Sequence, residues 1–273
     1  MKEYHILNLG AGVQSTMLYL LATQRHETMP NIDCAIFADT GEEPQAVYDH
    51  LEYLKTLGGP EIITCSLGHR LGDAIMSNKR HSSIPLFSKG GAGLGMRQCT
   101  FDYKVAPINK TIRHEVCGLK FRQKFPSEQI HVHQYMGLSF DEARRVLKVN
   151  KRFFDIPWST PHFPLFETNT TRGGAVQWLG SRVPYETPRS ACSFCPYHDT
   201  EEWRRVKSCA SDWDRACLVD DWLRSPGYME AHSYNNEQFL HRSCVPLRDV
   251  DLSAPPSTAE FSFVRECEGM CGV

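Results

Sequence analysis

The stretch Tyr4-His5-Ile6-Leu7-Asn8-Leu9-Gly10-Ala11-Gly12-Val13-Gln14-Ser15 decides the fold. Its first six residues form a short apolar run that stops at three small residues. From Ser15 onward, Met17, Leu18, Leu20 and Leu21 recur at helical spacing, so the segment reads as strand, tight turn, helix. Small residues at such a turn let the backbone approach a ligand closely. The free N–H groups of the helix start, with the helix dipole, favour an anion such as pyrophosphate, and Ser15 adds a hydroxyl donor. A tight strand-to-helix turn needs small residues in any case, so the loop alone does not decide between a binding role and a purely structural one. It matches neither the G-x-G-x-x-G dinucleotide fingerprint nor the G-x-x-x-x-G-K-[ST] phosphate loop, because no lysine follows the glycines.

Working outward, Ile32 to Ala38 is a second apolar run, ending at Asp39-Thr40-Gly41-Glu42-Glu43-Pro44. A helical stretch follows with Val47, Leu51 and Leu54 on one face. Glu61 to Ser66 and Ile130 to Leu138 are further strand candidates. This alternation predicts an α/β fold: a doubly wound parallel sheet with helices on both faces. Segment 81–98, rich in Gly, Ser and Lys, reads as a flexible loop over a site. After about residue 150 aromatics, prolines and cysteines crowd together. The expected division is a nucleotide-binding domain at 1–165 and a cysteine-bearing C-terminal region at 166–273.

The chain has 273 residues, 41% hydrophobic and 23% charged, which suits a globular protein with one sizeable core and an appendage. A net charge of −2 gives no overall basic field for nucleic acid. The local runs Arg144-Arg145-Val146-Leu147-Lys148 and Lys151-Arg152 either meet phosphates or form a solvated face. No apolar run approaches the ~20 residues of a membrane span, and Met1-Lys2-Glu3-Tyr4-His5 is no secretory signal. A cytoplasmic location is expected. Eleven cysteines, an odd number, then point to metal ligation or thiol chemistry rather than a disulfide framework.

Gly10 to Ser15 resembles the SGGxDS signature of PP-loop ATP pyrophosphatases, with Gly10 in the first serine position and Gln14 where aspartate is commoner. Further blocks resemble the phosphoadenosine-phosphosulfate (PAPS) reductase-like branch of that superfamily. They are Ile36-Phe37-Ala38-Asp39-Thr40-Gly41-Glu42, then Arg97-Gln98-Cys99-Thr100 with Tyr103-Lys104 and Pro107-Ile108. Gly137-Leu138-Ser139 with Glu142 and Arg145 follows, Ser139 replacing an arginine. Phe163-Pro164-Leu165, Cys192-Ser193-Phe194-Cys195-Pro196 and Trp203 complete the order. The resemblance implies an adenine nucleotide alpha hydrolase-like fold that splits ATP between its α- and β-phosphates with Mg²⁺. It implies that Gly10, Ala11, Gly12, Gln14 and Ser15 hold the pyrophosphate end, with Asp39, Thr40 and Gly41 beside the nucleotide. Lys104 and Arg145 would offset phosphate charge. Gln14 lacks the carboxylate that would help orient magnesium.

Cys192-x-x-Cys195 has the spacing that lets one turn point two sulfurs at a single metal. Cys99 lies 93 residues earlier, in a block that the resemblance brings to the same site. One cysteine plus a C-x-x-C pair is similar to the [4Fe–4S] ligand sets of sulfate reductases and of thiolating PP-loop enzymes. Cys267-x-x-x-Cys271 offers further ligands, and a four-thiolate Zn²⁺ site from Cys192, Cys195, Cys267 and Cys271 is the rival reading. Cys34, Cys65, Cys117, Cys209 and Cys217 read as small buried hydrophobes. Glu266-Cys267 resembles the nucleophilic tail segment of PAPS reductases, but the glycine and histidine that follow there are not in register. His131 and His133 share a strand face with no third ligand evident in the sequence.

Three functions fit: an ATP-consuming adenylating enzyme, including a sulfurtransferase that uses a sulfur donor and acts on nucleic acid or a small molecule; a sulfonucleotide reductase using PAPS or adenosine phosphosulfate (APS); or a nucleotide-binding module without catalysis. The oligomeric state is left open.

Overall fold

In the first strand, β1 (Lys2–Leu9), successive side chains face opposite sides of the sheet, and both sides of its second half are buried. Leu7 and Leu9 join one apolar cluster, Ile6 another. A strand buried on both faces belongs inside a sheet covered by two helical layers. The structure, a computed structural model, describes residues 1–77, 84–91, 94–95 and 97–253.

In chain order β1 is followed by α1 (Val13–Thr23), β2 (Cys34–Ala38), α2 (Gln45–Lys55), β3 (Glu61–Cys65), α3 (Leu71–Met76) and the short β4 (Phe87–Ser88). A continuous helical run then spans Phe101 to Val116. It consists of α4 (Ala106–Thr111) flanked by π-helical turns at Phe101–Val105 and Ile112–Val116. Next come β5 (Ile130–Met136), α5 (Ala143–Phe153), β6 (Ser159–His162), α6 (Pro164–Glu167) and α7 (Arg172–Leu179). The last elements are α8 (Thr200–Ser208), α9 (Ala210–Trp222), α10 (Pro226–Ala231) and β7 (Gln238–Phe239).

The five main strands are all parallel, in the order β3-β2-β1-β5-β6. The chain winds outward from β1 to β3, then returns to lay β5 against the other side of β1. This is the doubly wound α/β arrangement expected from the sequence. The first face is covered by α1, α2 and α7 through Met17, Leu18, Leu51, Leu54, Ala175 and Leu179. The second is covered by the 101–116 run through Ile108 and Ile112, and by α5 through Val146, Val149 and Phe153. Each fully buried Leu or Ile contributes about 1.5–3 kcal/mol relative to exposure. Leu165 and Val183 also join the first core, so residues on both sides of position 165 pack on that face.

A separate core gathers α3, α8, α9 and α10 around Trp203, with Leu71, Val206, Val219 and Tyr228. Among the described residues of 81–98, β4 pairs antiparallel with β7. That part of the expected flexible loop is therefore ordered by a partner far along the chain, while residues 81–83, 92–93 and 96 lie outside the described residues. No helix among the described residues is long and apolar enough to cross a membrane.

One buried contact joins α1 and α2 to the segment after α7. His50 Nε2 and Thr16 Oγ1 are 2.8 Å apart, and His50 Nδ1 and the Tyr185 hydroxyl 2.9 Å. Burial pulls the His50 pKa down to about 4, against about 6.5 for the unfolded chain. Between those values the unfolded chain binds a proton that the folded protein refuses. Stability is therefore complete above about pH 6.5 and falls as the pH drops toward 4, by up to about 3 kcal/mol. The urea midpoint should be lower at pH 4.5 than at pH 7. The variant His50→Gln should show a shallower dependence; an unchanged slope would mean His50 is not its source.

Candidate nucleotide site and the adjoining cysteine turn

The reversal of strand order lies between β1 and β5, and ligands of open α/β sheets bind outside the strand ends at such a point. The loop after β1 and the segment after β5 flank this crevice. Ser15 Oγ accepts the N–H of Gly10 at 3.2 Å and of Gly12 at 3.3 Å, closing the turn. Ala11 sits at φ 56°, left-handed backbone that costs a residue with a Cβ roughly 1–2 kcal/mol. Gly12 caps α1 with no side chain, so the first-turn N–H groups of the helix face the crevice.

Across the crevice, Ser139 and Glu142 form a capping box. Gln14, 1% exposed, donates to Glu142 Oε2 at 2.8 Å and to Ser139 Oγ at 3.3 Å. Its carbonyl oxygen accepts from Arg172 at 3.1 Å. Arg145 is ion-paired with the other oxygen of Glu142. The structure thus brings Gly10 to Ser15 together with Ser139, Glu142 and Arg145. Gln14 is held as a bridge between α1 and the β5 end.

Beside this network lies a cavity of about 620 Å³, bounded by Val13, Gln14, Asp141, Arg172, Arg189 and Arg205 among others. Its size falls within the range of small-molecule sites. Arg189, 7% exposed, has two guanidinium nitrogens, Nε and Nη2, without a hydrogen-bond partner. Burial pushes its pKa down, with Glu202 and Asp199 opposing. A buried guanidinium with unpartnered donors on a cavity wall fits an anionic ligand group. Arg172, Arg189 and Arg205 escaped the sequence reading, since they fall where no element pattern or motif singles them out.

The end of β2 supplies the other side. Asp39 Oδ1 accepts the Gly41 N–H at 2.7 Å and the Tyr48 hydroxyl at 2.8 Å. Gly41, at φ 72°, is required twice over, because a Cβ there would also lie 2.8 Å from Arg70 Cγ. Glu42 is buried and accepts from Arg70, Arg215 and the Gly72 N–H, while its carbonyl takes the Ser193 N–H at 2.7 Å. The carboxylate ties the β2 end to α9, and the backbone carbonyl ties it to the cysteine turn. Lys104, on a π-helical turn, pairs with buried Glu43 at 2.9 Å. So Lys104 and Arg145, grouped as phosphate contacts in the sequence reading, are each joined to a carboxylate, one at the β2 end and one at the β5 end.

Cys192 and Cys195 close a tight turn, Cys195 N–H donating to the Cys192 carbonyl at 2.9 Å. Phe194 anchors it with no exposed surface. Thr40 Oγ1 lies 3.2 Å from Cys192 Sγ, and Cys99 packs against the same core as Cys192. Burial raises the Cys192 thiol well above its ordinary range, with Glu43 adding and Lys104 opposing. His198, beside the turn, is pulled down to about 3 by burial and then by Arg189, and is neutral.

Three thiolates on one tetrahedral zinc lie about 3.8 Å apart. Cys99, Cys192 and Cys195 do not form a set converging within 4.8 Å; among the described residues only Glu3, His5 and His133 do. Cys267 and Cys271, and with them the four-thiolate zinc set and the tail nucleophile, lie outside the described residues. Cys34, Cys65 and Cys217 are buried as expected, and burial lifts them to about 12, 11 and 11. Cys117 and Cys209 are only half-buried.

No family model matches the chain, and no curated protein matches it. Among solved structures it is similar to the U34-tRNA thiolase NcsA from Methanococcus maripaludis with its [4Fe-4S] cluster. The identity is 15% over 85% of this chain and 69% of that one, with a TM-score of 0.37. A likeness this distant leaves the reading of the site to the residues of the chain itself.

Proposed function

We propose that the chain is an ATP pyrophosphatase of the PP-loop superfamily that adenylates an acceptor and then transfers sulfur to it. The observation that carries this reading is the Gly10–Ser15 loop, which opens α1 at the strand-order reversal beside a cavity with unpartnered Arg189 nitrogens. In this reading residues 1–165 activate ATP and 166–273 supply the cysteine turn.

ATP would lie with its pyrophosphate end on the Gly10–Ser15 backbone and its adenosine toward Asp39, Thr40 and Gly41. Asp141 would supply a carboxylate toward Mg²⁺, a task Gln14 cannot perform and for which both oxygens of Glu142 are already engaged by Gln14, Ser139 and Arg145. Arg145 and Lys104 balance phosphate charge from the two sides. An acceptor oxygen attacks the α-phosphate, the α–β bridge breaks, and pyrophosphate leaves with its charge neutralised. Sulfide sulfur then attacks the adenylated carbon of the acceptor and AMP departs. Cys99, Cys192 and Cys195 would hold a [4Fe–4S] cluster, which supplies an open iron for the sulfide. The acceptor's class, nucleic acid or small molecule, is not fixed by these residues.

Incubation with labelled ATP and, in parallel, labelled PAPS or APS tests the reading. Pyrophosphate release is expected. Sulfite release would establish a sulfonucleotide reductase, and neither would leave a binding module. The Gly12→Val variant should weaken ATP binding roughly tenfold or more, a cost of about 1.4 kcal/mol, because its side chain would occupy the phosphate space. Undiminished binding in equilibrium dialysis would remove the loop from the site.

A further inference from the structure

Farther along one face of the same sheet, centred on the middle of β1 and β5, lies a second cluster, which ATP chemistry does not use. In the β1–β5 ladder His5 lies beside His133 and Glu3 beside His131. In the β5–β6 ladder Tyr135 lies beside His162. With a side-chain period of two, all of these share one sheet face. The His5 and His133 rings stack at 4.8 Å and 11°. One ligand atom each from Glu3, His5 and His133 falls within 4.8 Å of the others, and Glu3 Oε2 is 3.9 Å from His133 Nε2.

The remaining ring nitrogens are already engaged. His133 Nδ1 is 2.9 Å from His162 Nε2, and His5 Nδ1 is 2.9 Å from the Tyr135 hydroxyl. Each ring is thus oriented through Nδ1 and has Nε2 to offer. Metal-bound imidazoles divide their nitrogens in this way, one on the ion and the other on an orienting partner. Two imidazoles and a carboxylate also form the donor set of divalent first-row ions with open positions.

We propose that Glu3, His5 and His133 bind a divalent transition-metal ion such as zinc, oriented by His162 and Tyr135 and clasping β1 to β5. Bonds of about 2.0–2.1 Å draw tetrahedral ligand atoms to roughly 3.4 Å apart. Reaching that spacing requires the near-parallel His5 and His133 rings to turn so that their Nε2 atoms converge, and Glu3, whose side chain is 51% exposed at the start of β1, has room to swing inward. The site lies five residues, roughly 16 Å of strand, from Gly10. It shares no ligand with the cysteine turn and does not depend on the ATP reading.

The test titrates the chelator-stripped full chain with cobalt and with zinc. Cobalt on nitrogen and oxygen ligands gives a visible d–d band without the near-ultraviolet thiolate charge-transfer band that a cysteine site produces. One equivalent of this nitrogen–oxygen type is expected in the wild type and in Cys192→Ser. It should be absent from His133→Ala and His5→Gln, and zinc should raise the Tm of the wild type but not of these variants. Tyr135→Phe should keep the band with affinity weakened roughly 10- to 100-fold, the effect of losing an orienting partner. Circular dichroism checks that the histidine variants fold. If they do not, Glu3→Gln at its exposed position decides, with at least tenfold weaker binding expected. Unaltered cobalt affinity in Glu3→Gln, an identical spectrum in a folded His133→Ala, or a wild-type spectrum of thiolate type alone would overturn the site.

Discussion

Alanine at Lys104 is expected to destabilise the fold by about 3–5 kcal/mol, the cost of stranding one partner of a buried ion pair. The Lys104 and Glu43 side chains are 3% and 0% exposed. Glu43 Oε2 already has no hydrogen-bond partner, so removing the ammonium leaves a buried carboxylate satisfied at neither oxygen through this pair. This outweighs the loss of one charge-assisted phosphate contact, on the order of 1.5–3 kcal/mol and felt only with ATP bound. The two effects separate experimentally. Lys104→Ala should lower the urea midpoint without nucleotide. The double variant Lys104→Met/Glu43→Gln, with no stranded charge, should recover most of that stability while its ATP affinity stays reduced. Wild-type stability in Lys104→Ala would show the pair is solvated in solution. Wild-type ATP affinity in the double variant would confine Lys104 to a structural role.

What the sequence showed of this molecule follows the range of the forces involved. The strand-turn-helix at Tyr4 to Leu21 was legible because the apolar run, the small residues and the helical period are all local. So were β2, β3 and β5, whose observed ends fall within two residues of the apolar runs. β6 was not, since Ser159-Thr160-Pro161-His162 has no apolar alternation; Pro161 is tolerated because β6 is an edge strand. The π-helical turn under Lys104 carries no local signal either. Motif order singled out Gln14 and Arg145, but not the hydrogen bonds through Ser139 and Glu142 that make Gln14 a bridge. Long-range pairings were invisible: Glu42 with Arg215, β4 with β7, and His5 with His133. His131 and His133 were seen to share a face, but their neighbours come from β1 and β6. No spacing along one strand reveals what the adjacent strands bring to it.

Serine at Cys192 or Cys195 is expected to abolish the metal centre outright. Anaerobically purified wild type should be brown, with about four irons per chain and a broad visible absorbance. The cysteines sit in different surroundings. Cys34, Cys65 and Cys217 are enclosed among apolar side chains, and burial holds their protons firmly. Cys192 and Cys195 share a tight turn beside Thr40, at the end of β2 where Glu43 and Lys104 meet, and Cys99 joins the same core. Burial also raises the Cys192 thiol, with Lys104 and Thr40 opposing, so a bound metal would favour its deprotonation and the loaded site would release protons. A serine alkoxide is a harder and more basic ligand than thiolate, so Cys192→Ser and Cys195→Ser should be colourless, while Cys34→Ser or Cys217→Ser keeps iron in whatever protein folds. Cys99→Ser should lose or degrade the cluster. Cys267→Ser should remain brown if the three cysteines suffice. Colourless wild type with one zinc per chain, lost in Cys192→Ser and Cys267→Ser but kept in Cys99→Ser, would overturn the cluster. It would make the cysteine turn a structural zinc site and Cys99 a residue of the nucleotide pocket. Zinc retained in His133→Ala under the same conditions would assign that ion to the cysteines rather than to the Glu3–His5–His133 face.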